Sequence, residues 1–241
     1  MTVKQKSKPA TRMNNGSLRW LLGVLILIAL LASAFLAGRA SVTAVAEEPA
    51  ASPQVLGPMG DQSRRDADDP FALGSVDAPV AMVIFSDYRC PFCARHSRAV
   101  EPELIDRYVE SGQLRLEWRD LPIFGDASLL AARAGRAAAE QGLFWEFNRA
   151  VYAAAPQSGH HDLTEQKLIG FAEQVGVTDV DRFAAALETD EFDADIQADY
   201  MQAMSLGLSG TPSFVINGHP VVGAQPVMAF TTIIERELAR R

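Results

Sequence analysis

Two cysteines, Cys90 and Cys93, lie in the stretch DYRCPFCARH, with Pro91 and Phe92 between them. The 241-residue chain has no others. Thiols at this spacing can share a metal, close a small disulfide, or trade electrons with other thiols. A structural zinc site usually takes four protein ligands. Besides the thiols the chain offers His96, His160, His161 and His219, with no second CxxC and no HxxxH. No metal is expected on that count. A disulfide across four residues would constrain little of the unfolded chain, because the effect grows with loop length. Redox exchange is the best physical match.

Exchange needs a reactive thiolate and a shielded partner, and the flanking elements must supply both. Val80 to Phe85 is a continuous apolar run, suited to a strand buried on both faces. It feeds directly into the cysteines. Pro91 suits a first helical turn, and Cys93, Val100, Leu104 and Tyr108 recur at helical spacing, so the pattern predicts a helix over 91–110. Gly112 is a plausible stop. Leu114, Leu116 and Trp118 alternate with Arg115 and Glu117, the mark of a second strand. A βαβ unit with parallel strands results. Cys90 then falls at a helix N-terminus, where unpaired N–H groups and the macrodipole favour a thiolate. Cys90 is expected to be the exposed attacker and Cys93, one turn in, the shielded resolver. Arg89 would add a positive field if its side chain turned toward the sulfur.

Residues 128–142, 143–155, 163–176, 180–188 and 192–207 lack strand alternation and read as helices. Asp162-Leu163-Thr164-Glu165 offers a cap before the third. SGHHD, with His160 and His161, reads as a solvated loop, and Phe144, Trp145 and Phe147 read as core. Ser213–Ile216, Asn217-Gly218 and Val221-Val222 form a strand, a tight turn and a return strand. A closing amphipathic helix runs from Val227 to Arg240.

Composition places the chemistry. With 48% hydrophobic and 22% charged residues, the chain is not disordered as a whole. The first 39 residues hold six basic side chains and no acid, so a total of −8 leaves −14 on the remainder. That acidic body argues against a nucleic-acid partner. Residues 20–38, WLLGVLILIALLASAFLAG, carry no charge and as a helix would span about 28 Å, close to a bilayer's hydrocarbon thickness. The basic arm of 1–19 places the N-terminus in the cytoplasm and the body outside. A signal cleaved near Ala46 is the alternative. The expected organisation is a basic arm (1–19), a transmembrane anchor (20–38), a flexible linker (39–70) and a folded domain (71–241). Helices inserted at about 126–207 interrupt that domain.

FSDYRCPFC after a buried strand, GLFWEF among the helices and LGLSGTPSFVING near the end resemble the DsbA-like thioredoxin family. LGSVDAPV resembles that family's lead-in, and the similarity covers roughly residues 71 to 241. The resemblance implies an α/β thioredoxin fold with an inserted helical domain, here preceded by the transmembrane helix. It implies a cis Thr211–Pro212 bond beside the cysteines, with Thr211 offering its backbone to an extended client peptide. It implies an extracytoplasmic thiol–disulfide oxidoreductase working through a Cys90–Cys93 disulfide on reduced or misoxidised client proteins. A quinone-linked membrane partner would reoxidise it, and no cofactor is implied. The same sulfurs serve a reductase or isomerase run in reverse. No added dimerisation segment is visible, which favours the oxidase. A non-catalytic peptide-binding module is a further alternative. Two departures stand out. The buried acid often found six residues before the first cysteine is replaced by Ile84, and Asp87 reads equally as a capping or loop acid. The Pro91-Phe92 pair lacks the histidine of strongly oxidising members. The Cys90 pKa is therefore expected below ~8.5 but above the ~3.5 of the strongest oxidants.

Overall fold

The computed structural model describes residues 56–240. The anchor over 20–38, the cleavage alternative near Ala46 and the linker up to residue 55 lie outside the described residues. Among those described, no helix is long and apolar enough to cross a membrane.

Strand β2 (Val80–Ser86) is the middle of a five-stranded sheet ordered β1-β3-β2-β4-β5. Its side chains alternate between two cores. Val80, Met82 and Ile84 enter the larger, and Val83 and Phe85 the smaller. Burial on both faces is why this run needs no polar alternation. Strand β3 (Leu114–Asp120) runs parallel to it, with Val80 opposite Leu114 and Ser86 opposite Asp120. On the other side β4 (Ser213–Ile216) is antiparallel to β2, and β5 (His219–Val222) is antiparallel to β4. The short β1 (Ala72–Leu73) is antiparallel to β3. The chain has a thioredoxin-like α/β fold with inserted helices.

Helix α1 (Pro91–Ala99) begins the crossover from β2 to β3. The continuous helix predicted over 91–110 is broken. A short helix α2 (Glu101–Leu104) and a π-helical turn (Ile105–Val109) follow α1. Pro102 supplies the reason: it lacks an N–H, and its ring crowds the carbonyl four residues back. The stop at Gly112 has a left-handed φ of 73°.

Five helices separate β3 from β4. They are α3 (Asp126–Ala139), α4 (Phe144–Ala154), α5 (Glu165–Val175), α6 (Val180–Glu188) and α7 (Asp193–Ser205). Thr164 caps α5 by accepting from the Lys167 N–H, and Asp179 caps α6 through the Arg182 N–H. Phe144, Trp145 and Phe147 are buried in the larger core. Helix α8 (Val227–Leu238) closes the chain, with Phe230 and Ile234 in the same core.

One difference from the sequence expectation and the burial of charge on β3 share one cause. Residues 56–70, expected as linker, are packed against the domain from residue 56 onward. The Gly57 N–H donates to the Asn217 carbonyl at 2.8 Å, and the Met59 N–H to the Gly218 carbonyl at 3.0 Å. The alternation in β3, read as the mark of a strand, does not leave Arg115 and Glu117 in solvent: both are buried together with Arg119. Glu117 accepts from the backbone N–H groups of Arg64 and Arg65, from Arg115 Nε at 2.9 Å and from Arg119 Nη2 at 2.8 Å. Arg136 of α3 joins Asp120 and Asp199, each at 2.8 Å. The segment 56–70 and helix α7 cover what would otherwise be a solvated sheet face. Charges can be enclosed there because each meets an opposite charge.

Candidate active site

The apolar strand β2 ends at Ser86, and four residues carry the chain to the helix that starts at Pro91. Asp87 holds this turn. One carboxylate oxygen accepts from the Arg89 N–H at 2.8 Å and from Ser128 Oγ at 2.9 Å, and the other from the Ile123 N–H at 2.8 Å. Burial raises its pKa, and these donors oppose the rise. Asp87 is thus a loop acid, and its oxygens are spent on the turn.

Cys90 is the N-cap of α1, with Pro91 at the first helical position. Its N–H donates to the Asp87 carbonyl at 3.0 Å, and its carbonyl accepts from the Ala94 N–H at 3.1 Å. The Thr211–Pro212 peptide bond is cis. It lies directly beside the cysteines, and Cys90 Sγ donates to the Thr211 carbonyl at 3.3 Å. The fold therefore gathers Cys90, Cys93, Thr211 and Pro212 from segments more than a hundred residues apart, with Pro91 and Phe92 in the loop between the thiols.

The two sulfurs differ chemically. The Cys90 pKa is lowered to about 6, chiefly because the Cys93 thiol hydrogen-bonds its thiolate. Burial opposes this, while the backbone N–H groups of Cys93 and Phe92 add to it. Those N–H groups are the unpaired donors of a helix start. The Cys93 pKa is pushed well up, first by burial and then by the neighbouring Cys90. The pKa of about 6 lies between the free-thiol value near ~8.5 and the ~3.5 of the strongest oxidants.

Cys90 is not exposed as expected: its relative accessibility is 1%, against 2% for Cys93. Packing of the cis-proline segment against the sulfur accounts for this. Phe92 carries the exposure instead, at 53%. The Arg95 guanidinium lies 5.1 Å from the Phe92 ring centroid, and Arg95 also reaches the Ala224 carbonyl at 3.3 Å. A groove lined by Arg95, Ala99, Val100, Gln225 and Pro226 lies on this side. His96, which also borders it, is buried against Phe214 and Phe230, with ring centroids 4.4 and 5.0 Å away. Burial lowers its pKa to about 3, so it stays neutral.

Arg89 does not supply the field that its position suggested. Its side chain turns to the Phe124 carbonyl at 2.5 Å and the His161 carbonyl at 3.0 Å. The His161 N–H returns a bond to the Arg89 carbonyl at 3.2 Å. Arg89 is a clasp between the cysteine loop and the inserted helices. It also explains why only half of the HH pair is solvated: His160 is exposed and His161 is buried. Behind the loop, Tyr88 stacks on Tyr152 at 5.5 Å and tilts against Trp118 at 5.3 Å. Sequence reasoning did not find Ser86 or Tyr152, and found Arg89 without its role as a clasp. Their partners lie 35 to 72 residues away, and no local periodicity marks such pairs. Among the described residues no group of three or more His, Cys, Asp or Glu side chains is placed to hold a metal ion.

A helix-capping CxxC against a cis-proline on this sheet defines a thiol–disulfide oxidoreductase of thioredoxin fold. Residues 66–236 match the family model described as "Thioredoxin", so the chain belongs to the thioredoxin family. Its relatives include disulfide bond formation proteins. The chain is 32% identical over 151 residues to a "Probable disulfide bond formation protein D" of Bacillus anthracis, covering 61% of this chain and 70% of that protein. Oxidised BdbD of Bacillus subtilis superposes with a TM-score of 0.67 at 22% identity, over 70% of this chain and 92% of BdbD. A thioredoxin-like oxidoreductase of Silicibacter pomeroyi matches with a TM-score of 0.61 at 33% identity, over 71% of this chain and 92% of that one.

Proposed function

We propose that this chain oxidises the thiols of client proteins outside the cytoplasmic membrane, to which residues 20–38 tether it. The observation that carries the direction is the asymmetry of the sulfurs. A Cys90 thiolate with a pKa of about 6 is stabilised in the reduced protein, so the disulfide gains by being reduced and its client by being oxidised. Cys90 is also the better leaving group, which speeds release of the oxidised client. The disulfide bond formation protein D of Bacillus anthracis supports the same direction by its name.

In this reading a client thiolate attacks Cys90 Sγ, and Cys93 leaves. The client then resolves the mixed disulfide with its second thiol. Thr211 offers its backbone to the client as an added strand would, and the exposed Phe92 and Val222 provide apolar contact. A quinone-linked membrane partner restores the disulfide. Oxidising conditions outside the cytoplasm allow the disulfide to persist.

Replacing Cys93 with alanine should leave clients trapped as disulfides on Cys90, visible as reducible high-mass bands. Normal client binding with no trapped species would instead indicate a peptide-binding module. Gel-shift alkylation of the chain in its native cells should find the pair mostly oxidised, whereas a mostly reduced pair would indicate a reductase or isomerase. Membrane fractionation tests the tether: a soluble product about 46 residues short would replace the anchor with a cleaved signal.

A further inference from the structure

We infer that Arg95, carried over the exposed Phe92 ring, selects client cysteines that have an acidic residue two or three positions away. The inference rests on the oxidoreductase reading of the Cys90–Cys93 pair and names the class of client that this site prefers.

Charge pairing sets the cysteine helix apart. Among the described residues every lysine and arginine but three has a carboxylate within 4.0 Å. The exceptions are Arg89, Arg95 and Arg98, all on the cysteine loop or α1, and α1 itself contains no acid. Two of them have structural tasks. Arg89 is the clasp to the inserted helices. Arg98 Nη1 donates to the Tyr152 and Ala155 carbonyls at 2.6 and 3.1 Å, which closes the C-terminal end of α4. Arg95 is exposed, and among the described residues its one acceptor is the Ala224 carbonyl, met by Nη2 at 3.3 Å. Its guanidinium lies 5.1 Å from the Phe92 ring centroid. Lying over a ring engages the face of the guanidinium plane. The N–H edge stays open to a carboxylate, which it can meet with two parallel hydrogen bonds.

The surface around Arg95 has room for a peptide. A cleft of about 230 Å³ on one side is bounded by Phe92, Arg98 and the loop 157–159. A groove of about 360 Å³ on the other runs along Ala99, Val100 and Pro226. Arg95 borders both, and no carboxylate lines either. The reach also fits. Arg95 stands five residues after Cys90, a rise of about 7.5 Å along a helix. An extended client advances about 3.3 Å per residue, so an acid two or three positions from the attached cysteine lies about 7 to 10 Å away, level with Arg95.

Net charge alone gives the opposite order. The chain beyond residue 39 carries −14, which repels acidic segments and draws basic ones. A preference for acidic clients would therefore come from the local charge of α1. Arg95 takes no part in the bond changes and is a specificity residue. A client thiolate bonds to Cys90 Sγ, and Cys93 leaves with the electron pair of the broken disulfide. The client's second thiolate then attacks the client sulfur, and Cys90 departs as a thiolate. The client's two thiol protons pass to solvent and to Cys93. The client loses two electrons and the Cys90–Cys93 disulfide gains them.

The test uses the oxidised full chain and dithiol peptides in three versions, with Glu, Gln or Lys two residues from each cysteine. Rates of thiol loss are divided by those of the same peptides with hydroxyethyl disulfide. That ratio cancels the effect of a neighbouring charge on the peptide's own thiolate content. Glu should outrun Gln, and Gln outrun Lys, by about threefold each, the size of an exposed ion pair. The order should fade at about 1 M salt, where screening acts within about 3 Å. Arg95→Gln should bring the three rates together, and Arg95→Glu should invert their order. Arg182→Gln removes the same charge from α6, where Arg182 is exposed and pairs with Glu140, and should leave the order as it is. Equal rates, a Lys-first order in the unsubstituted protein, or a Glu-first order that survives Arg95→Glu each overturn the proposal. Should Arg95→Glu not fold, Arg95→Gln decides by whether the rates converge. Fluorescence anisotropy of the same peptides with serine for cysteine separates the two readings. If no peptide is oxidised while binding still ranks Glu, Gln, Lys and Arg95→Glu reverses it, the oxidoreductase reading fails and this one stands. Oxidation without any charge order leaves that reading and sinks this one.

Discussion

At the scale of single residues, the two sulfurs make a pH signature. The Cys90 pKa is depressed in the folded protein, to about 6 from the ~8.5 of a free thiol. A depressed group gives its full stabilisation above its unfolded pKa and loses it as pH falls through the folded one. Cys93, raised by burial, stays protonated in the folded chain over that window, and in the unfolded chain it ionises appreciably only near the top of it, at ~8.5. The oxidised protein has neither ionisation. Reduced protein should therefore gain stability relative to oxidised protein as pH rises from about 6 to ~8.5, with little change below. Calorimetric Tm values of both forms across this range check it, and parallel curves would contradict the assigned thiolate. Cys90 and Cys93 were legible as the chain's two cysteines in one short motif, and Thr211 and Pro212 through the resemblance that SGTP carries. The depth of Cys90 was not, because the Thr211 carbonyl that meets its sulfur arrives from 121 residues away. Arg89 was legible as a charge but not as a direction. Its partners are backbone carbonyls, and carbonyls have no letter in a sequence.

At the scale of elements, the active-site loop is held from behind by a helix that cannot retreat. Gly135 lies in the middle of α3, where a glycine costs about 1 kcal/mol relative to alanine. The reason for it is Tyr88. A Cβ at position 135 would stand 2.5 Å from the Tyr88 hydroxyl and 3.1 Å from Cζ. The Tyr88 ring is fully buried between Tyr152, Trp118 and Phe147, so it has nowhere to swing. Gly135→Ala should thus lower stability by about 1–3 kcal/mol despite its better helix propensity. It should also disturb the Cys90 titration, since Tyr88 is two residues from that sulfur. Denaturant unfolding and thiolate absorbance check the two effects, and a stabilised protein would refute the wedge. The order of strands and helices was legible from hydrophobic period and turn residues. The break after α1 escaped because apolar spacing from Cys93 to Tyr108 continues across Pro102, and the period drew attention from the residue that ends it.

At the scale of the whole molecule, the domain begins earlier than its hydrophobic pattern. Residues 56–65 carry no apolar period, yet they complete two surfaces. Gly57 approaches the β4–β5 turn so closely that a Cβ on it would lie 2.5 Å from the Gly218 carbonyl. Arg64 and Arg65 present their backbone N–H groups to Glu117, and Arg64 also pairs with the buried Asp199. Glu117 holds two buried arginines of its own strand, so its ionisation matters. Its pKa is lowered to about 2: burial works against the charge, and the donors of Arg64, Arg115, Arg119 and Arg65 outweigh it. Alternation in β3 marked the strand but not the burial of its charges, because the segment that covers them looks like linker. Two shortened chains separate linker from domain. A chain starting at residue 56 should unfold at the same temperature as the longer protein's domain. A chain starting at residue 66 removes two donors from Glu117 and a partner from Asp199, and leaves buried charge undercompensated. Its loss should approach the ~3–5 kcal/mol of a broken buried pair. Equal Tm values for the two chains would make 56–65 an ornament of the surface. A large difference, abolished in a Glu117→Gln background, would show that the lead-in acts through that carboxylate.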